Sequence, residues 1–187
     1  MPFLPDEPVQ NPSDLFDYSF ARFEPQLWWV AHTRPRQEKA IARHLLKIGF
    51  PYYLPCEKKR VLVGKSVRHV NIPVFDGYIF LMAREDQRWR AMASNRVASL
   101  QRVVDQERFW IDIERVRSIL DLGKPVEAHM TLAVGTPVTL RDGPMAGMTG
   151  TIEKVSGGFK FVVMVDFIRR GLSVTVDGEW LGLPQYA

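Results

Sequence analysis

The chain has 187 residues, 46% of them hydrophobic and 25% charged, with a formal net charge of +4 and a pI near 9.3. That length allows one or two domains with modest cores, and no apolar run approaches the roughly 20 residues of a membrane span. A single cysteine, Cys56, excludes an intrachain disulfide and reads as core or surface filler, not a nucleophile. The N-terminus carries Pro2, Pro5, Pro8 and Pro12 and no basic region followed by an apolar core, so no signal peptide is expected and a cytoplasmic location is.

Charge is unevenly placed. Residues 1–27 hold five acids (Asp6, Glu7, Asp14, Asp17, Glu24) against Arg22, a net of −4. Residues 28–121 hold eighteen bases and ten acids, a net of +8, and residues 122–187 hold six of each. A polyanionic partner is therefore sought in the middle segment. The acidic first segment, with prolines and no sustained period, reads as a disordered tail with some docking of Leu15–Phe20.

Leu27-Trp28-Trp29-Val30-Ala31-His32 reads as the first strand. Thr33 as N-cap and Pro35 in the first turn predict a helix running to about Ile48, with Gly49 as its stop. Ile41, Leu45 and Ile48 form its buried stripe, and Arg36, Lys39, Arg43 and Lys47 its basic face. Pro51–Pro55 begins a second strand. Glu57–Pro73 reads as a basic hairpin turning at Gly64-Lys65, either an edge guarded by charge or an arm that reaches DNA. Val74–Met82 follows, rich in aromatic and β-branched residues. Tyr78, Phe80 and Met82 alternate with Ile79 and Leu81, so both faces are apolar. This strand is either buried centrally or offers one face to a partner. Glu85–Ser94 reads as a short helix with Trp89 and Met92 inward, and Ser99–Val104 as a strand. A last helix over Ile113–Leu122 is capped by Asp112 and stopped by Gly123. Lys124–Ala133 has no period and reads as a linker. Beyond it, short strands at Pro137–Leu140, Thr149–Val155, Lys160–Val165 and Leu172–Val176, with turns at Asp142-Gly143-Pro144 and Gly157-Gly158, predict a small barrel.

Chemistry is sparse. His32, His44, His69 and His129 have no metal-ligand spacing, and no glycine-rich phosphate loop is present. Asp142 sits where turns favour Asp for backbone hydrogen bonding. The chain reads as a binding protein, not an enzyme, with no cofactor or metal.

Two motifs carry a resemblance. Val138-Thr139-Leu140-Arg141-Asp142-Gly143-Pro144-Met145-Ala146-Gly147-Met148-Thr149-Gly150-Thr151-Ile152 looks like a KOW motif, in which Gly147 and Gly150 let the chain double back. Trp28-Trp29-Val30 before a helix, then Phe75-Asp76-Gly77-Tyr78 and Asp86–Met92, resembles the NGN domain of the NusG family of transcription elongation factors. Asp76 stands where the family usually has proline.

The resemblance implies an α+β NGN domain, an antiparallel sheet flanked by helices, over residues 28–122, and a linker over 123–133. A small all-β SH3-like KOW barrel would occupy 134–187, and 1–27 would be the tail. It implies a monomeric elongation and antitermination factor that bridges the RNA polymerase cleft and suppresses pausing or termination. The β′ clamp helices would dock on Val30, His32, Phe75, Tyr78, Phe80, Ile119 and Leu120. Arg88 and Arg90 would approach the β subunit. In specialised, RfaH-like members the first helix also reads the non-template DNA strand, and the matching positions are Arg34, Gln37, His44, Lys47 and Arg96. The KOW barrel would recruit the ribosomal protein NusE or the termination factor Rho through Phe167, Ile168, Arg169 and Arg170. Gly157-Gly158 and Phe161–Val165 favour a stable barrel over the helical hairpin that some specialised members adopt. A ribosome-associated RNA-binding KOW protein is the competing reading; it expects positive charge on the barrel, where residues 122–187 sum to zero.

Overall fold

The computed structural model describes residues 8–17, 19–63, 66–129, 135–155 and 158–181. The turns expected at Gly64-Lys65 and at Gly157, and the linker residues 130–133, lie outside them. The chain separates into two compact units, Met1–Glu107 and Arg108–Ala187. No helix among the described residues is long and apolar enough to cross a membrane.

The first unit is built on an antiparallel sheet of β1 (Gln10–Asn11), β2 (Leu27–Thr33), β3 (Tyr52–Tyr53), β6 (Tyr78–Ala83) and β7 (Val97–Arg102). Its order is β1-β3-β6-β2-β7, so β6 is central. Ile79 to Ala83 are all buried, as an uninterrupted apolar strand requires when both its faces are covered. One face, with Trp29, Ala31, Tyr52, Ile79, Leu81 and Ala83, packs in a cluster with Ile41, Ala42 and Leu45 of helix α1 (Glu38–Ile48). The other carries Trp28, Val30, Tyr53, Phe80 and Met82, paired as Trp28 with Met82, Val30 with Phe80, and Tyr53 with Phe80. Strands β4 (Cys56–Val63) and β5 (Ser66–Pro73) form a separate two-stranded hairpin.

Several boundaries differ from those expected. Thr33 does not cap α1: it stays in β2, where its N–H donates to the Gly77 carbonyl at 2.8 Å. Arg36 then takes a left-handed φ of 60°, which delays the helix to Glu38. The stop at Gly49 holds, with φ 74°, and the Phe50 N–H reaches the Leu45 carbonyl. The acidic segment is not wholly a disordered tail. Gln10 and Asn11 form the edge strand beside Tyr53 and Tyr52, and Leu15 and Phe16 are buried. Phe16 packs edge-to-face on Tyr53. The helix expected over Glu85–Ser94 is a 3-10 turn at Glu85–Gln87 followed by α2 (Trp89–Met92). One turn cannot sustain a stripe, and Trp89 and Met92 point outward while Ala91 is buried.

Helix α3 (Gln106–Asp121) starts at Gln106, six residues before the expected cap. Gln106 supplies the tie instead, accepting from the Trp28 N–H at 2.6 Å and donating to the Val103 carbonyl at 2.7 Å. Asp112 therefore lies buried inside the helix.

From Arg108 onward α3 belongs to the second unit, with β8 (Val126–His129), β9 (Thr136–Thr139), β10 (Thr149–Val155), β11 (Gly158–Val165) and β12 (Arg170–Val176). These strands form one antiparallel sheet ordered β8-β12-β11-β10-β9. The expected linker is strand at 126–129, where Val126 to His129 pair with Val174 to Gly171 of β12. Exposed edge pairing of this kind leaves little apolar period to read. Leu140, Met145, Phe161, Val163, Val165, Leu172 and Val174 are buried.

The reversal between β9 and β10 uses Gly147 at φ 85° and ends at Gly150, where a Cβ would lie 2.5 Å from the Val162 carbonyl oxygen and 2.7 Å from the Phe161 ring. Both neighbours are fixed in β11. Gly150→Ala is expected to destabilise the second unit by about 1–3 kcal/mol, the usual cost of overpacking. Denaturant unfolding of the full chain checks this; an unshifted midpoint would contradict the packing.

Candidate interaction surfaces

Of the residues expected to meet a large partner on the first unit, Val30, His32, Tyr78 and Phe80 share one sheet face, and Phe75 lies in the turn before β6. Val30 pairs with Phe80, and His32 with Tyr78. The Phe75 and Phe80 ring centroids are 6.4 Å apart and those of Tyr53 and Phe80 6.5 Å, while Phe16 meets Tyr53 edge-to-face at 4.9 Å. Aromatic pairs at such spacings add to their burial energy. Val30, Phe75 and Phe80 are almost fully buried, and only His32, exposed, and Tyr78, half-buried, reach solvent. Their rings lie 5.2 Å apart. The surface open to a partner is therefore a corner of the expected patch, supported from beneath by the rest. Ile119 and Leu120 belong to α3 in the second unit, the first buried and the second half-buried.

Gly77 sets this corner. Its N–H donates to Glu38 Oε1 at 2.8 Å and its carbonyl accepts from Thr33, so the turn before β6 is tied to both α1 and β2. Its φ is 80°, and a Cβ there would lie 3.3 Å from His32 Nε2. A cleft of about 580 Å³ opens alongside, lined by His32, Arg36, Glu38, Lys39, Ile72 and Pro73 among others.

Of the residues expected to meet DNA, three cluster. Arg34 donates from Nη2 to Asn95 Oδ1 at 2.9 Å and from its backbone to the Arg96 carbonyl at 2.8 Å, and Arg96 donates to Gln37 Oε1. His44 stands apart, half-buried, its Nε2–H donating to the Arg90 carbonyl at 2.9 Å. Lys47 is exposed in the last turn of α1. The Arg88 guanidinium lies 5.5 Å over the Trp29 ring and 3.3 Å from the Glu85 carboxylate, and Arg90 lies 5.1 Å over Phe50. Both arginines thus lean on core aromatics. Beside them Trp89 is 65% exposed, a candidate contact that a stripe-based reading turns inward. Tyr53 escapes a sequence reading because it follows Tyr52 directly, and only the strand register separates their faces.

In the second unit, Asp166–Ile168 form a 3-10 turn that ends at Arg169, φ 53°, and Arg170 begins β12. Ile168 is buried in the unit, so it does not share the surface with exposed Arg169. Phe167 is half-buried, edge-to-face with Phe109 of α3 at 6.2 Å. The same turn is held by Asp112, whose Oδ2 accepts the Asp166 N–H at 3.2 Å, and by Arg108, 3.3 Å from the Asp166 carboxylate. Burial pushes the Asp112 carboxyl up to about 6, against the Asp166 N–H and the Arg108 and Arg115 guanidinia, which favour its charge.

A family model described as the transcription termination factor NusG matches residues 26–120, just over half of the chain. The chain belongs to the NusG family, a family of transcription factors and not of enzymes. A solved structure described as a domain interaction in the NusG of Thermotoga maritima shares the fold, with a TM-score of 0.50, 17% identity, and 83% of this chain and 95% of that one covered. No curated protein sequence matches.

Because the Asp112 carboxyl is raised in the fold, the folded state holds more protons than the unfolded one between 3.8 and about 6. Its contribution to stability is full below that window and is lost as pH rises through it. Asp112→Asn, which keeps an acceptor for Asp166, is expected to flatten the fall in melting temperature across this window. Parallel melting curves of wild type and variant check it, and an unchanged slope would contradict it.

Proposed function

We propose that this chain is an elongation and antitermination factor that binds RNA polymerase through an NGN domain and a second protein through a KOW barrel. Residues 28–122 act as the NGN domain and 134–187 as an SH3-like KOW barrel. The observation that carries the reading is the His32–Tyr78 corner: the solvent-reaching end of a face whose other members are buried aromatics. A rigid aromatic corner backed by a packed row suits a helical partner, because little side-chain entropy is lost on docking. The β′ clamp helices take this position, with Val30, Phe75 and Phe80 as its support.

Trp89, exposed between Arg88 and Arg90, supplies an anchor of the type enriched at protein interfaces for the β-subunit side. Arg34, Gln37 and Arg96, already gathered by hydrogen bonds, offer cations and an amide to the non-template strand, and His44 and Lys47 extend that line along α1. This favours a specialised, RfaH-like role over a housekeeping one. In the second unit, Phe167 and Arg169 are the side chains available to NusE or Rho. Engagement of Phe167 competes with its edge-to-face contact on Phe109. The ribosomal RNA-binding alternative is disfavoured by the zero net charge of residues 122–187. The factor acts as a cytoplasmic monomer.

The test is co-elution of tagged chain with RNA polymerase. His32→Glu/Tyr78→Ala changes residues at the surface and is expected to fold yet lose the polymerase, a drop of at least tenfold in recovered complex, about 1.4 kcal/mol. Retained polymerase would refute the docking face, and ribosomal material in its place would favour the RNA-binding reading.

A further inference from the structure

The hairpin β4–β5 is used by none of these contacts. Residues 56–73 carry Lys58, Lys59, Arg60, Lys65 and Arg68 against Glu57 alone, a net of +4 that equals the formal charge of the whole chain. The two strands pair in register from Cys56 with Pro73 to Val63 with Ser66, and they form their own sheet. The base is closed by the Val74 N–H donating to the Pro55 carbonyl at 2.9 Å. Each strand has eight residues, so the ribbon spans about 26 Å at the usual rise per residue.

Register sorts the side chains. Lys58, Arg60 and Leu62 share one face with Asn71, His69 and Val67, their direct partners, while Lys59 and Arg68 lie on the other. Lys58, Arg60, His69, Leu62 and Val67 are exposed, Leu62 at 73%. Lys59 is paired with Glu57 at 2.9 Å, whereas no carboxylate among the described residues pairs with Lys58 or Arg60.

Edge protection accounts poorly for this. Guarding an edge needs scattered charge and no exposed apolar tip, whereas here the charge has one sign and Leu62 and Val67 sit together near the end. A single-strand platform is also a poor fit, since such sites stack bases on aromatic rings and residues 56–73 contain no Phe, Tyr or Trp. Double-stranded RNA closes its major groove to side chains. The B-DNA major groove, about 12 Å wide, admits a two-stranded β-ribbon, and thymine methyls there accept apolar contact.

We infer that the β4–β5 hairpin is a duplex-DNA-binding arm: it enters the major groove with its Lys58–Arg60–His69 face, sets cations against phosphates on either side, and places Leu62 and Val67 on the groove floor. Most of the affinity is electrostatic and independent of sequence. The inference concerns the free chain and DNA, and does not depend on the polymerase reading.

The experiment is fluorescence anisotropy of the full chain with a short labelled B-DNA duplex across a salt series. Single-stranded DNA, duplex RNA and phosphatidylserine vesicles serve as competitors. Lys58→Gln/Arg60→Gln, shown to be folded by its melting curve, is expected to bind duplex DNA at least tenfold more weakly. Its slope of log affinity against log salt is expected to be smaller by about 1.8, because two fewer phosphates are neutralised. A second variant, Leu62→Ser/Val67→Ser, is expected to weaken binding with the salt slope unchanged. Wild-type affinity and slope in the first variant would overturn the inference, as would displacement of the duplex by single strands, duplex RNA or vesicles at lower concentration than by unlabelled duplex DNA.

Discussion

Strand β6 has no polar face, and beyond Tyr78 neither side of it meets water. Five consecutive residues, Ile79 to Ala83, are buried. Burying apolar area at about 25 cal/mol per Å² is the dominant gain in folding, and a strand can collect it on two sides only where both faces of the sheet are covered. Strands β2 and β3 flank it with complementary rows. Trp29, Ala31 and Tyr52 join the α1 side, and Trp28, Val30 and Tyr53 join the other. Even the acidic N-terminal segment is recruited, through Leu15 and Phe16.

The candidate interaction surfaces are by-products of how this strand begins. Tyr78 is where its burial gives out, and it is paired with exposed His32. Gly77, bonded to Glu38 and to Thr33, fixes where the strand starts and leaves room for the His32 ring. The loop before α1, displaced by the left-handed Arg36, presents Arg34 to Asn95 and brings Gln37 within reach of Arg96. Cations and aromatics thus sit at the same end of the sheet. A charge placed within the core would have carried a desolvation cost, which Asp112 shows in its raised carboxyl.

Much of this is legible in the chain itself. The alternation through Val74–Met82 and the Trp28-Trp29-Val30 run specify strands that must pair, and Ile41 and Leu45 mark the buried side of α1. The four strand positions after Gly135 follow from short β-branched runs between turns. What cannot be read are effects of distant partners. Residues 10–11 and 126–129 become strands only because Tyr52–Tyr53 and β12 offer them open edges. The start of α3 depends on Gln106 reaching Trp28, 78 positions away. Trp89 and Met92 face outward because the segment breaks after a 3-10 turn, and periodicity over four residues carries no information about side. Ile168 likewise turns inward where neighbouring arginines suggest a surface.

The proposed docking on RNA polymerase places the partner at the His32–Tyr78 end of the face around β6. Hydrogen exchange of the full chain, alone and in complex with polymerase, tests it most directly, since amides near a docked face lose solvent access while the rest of the chain serves as its own control. New protection is expected in the turn at Phe75–Tyr78 and in β2 at His32 and Thr33. Protection confined to β11 and β12, with His32 and Tyr78 exchanging as in the free chain, would contradict it.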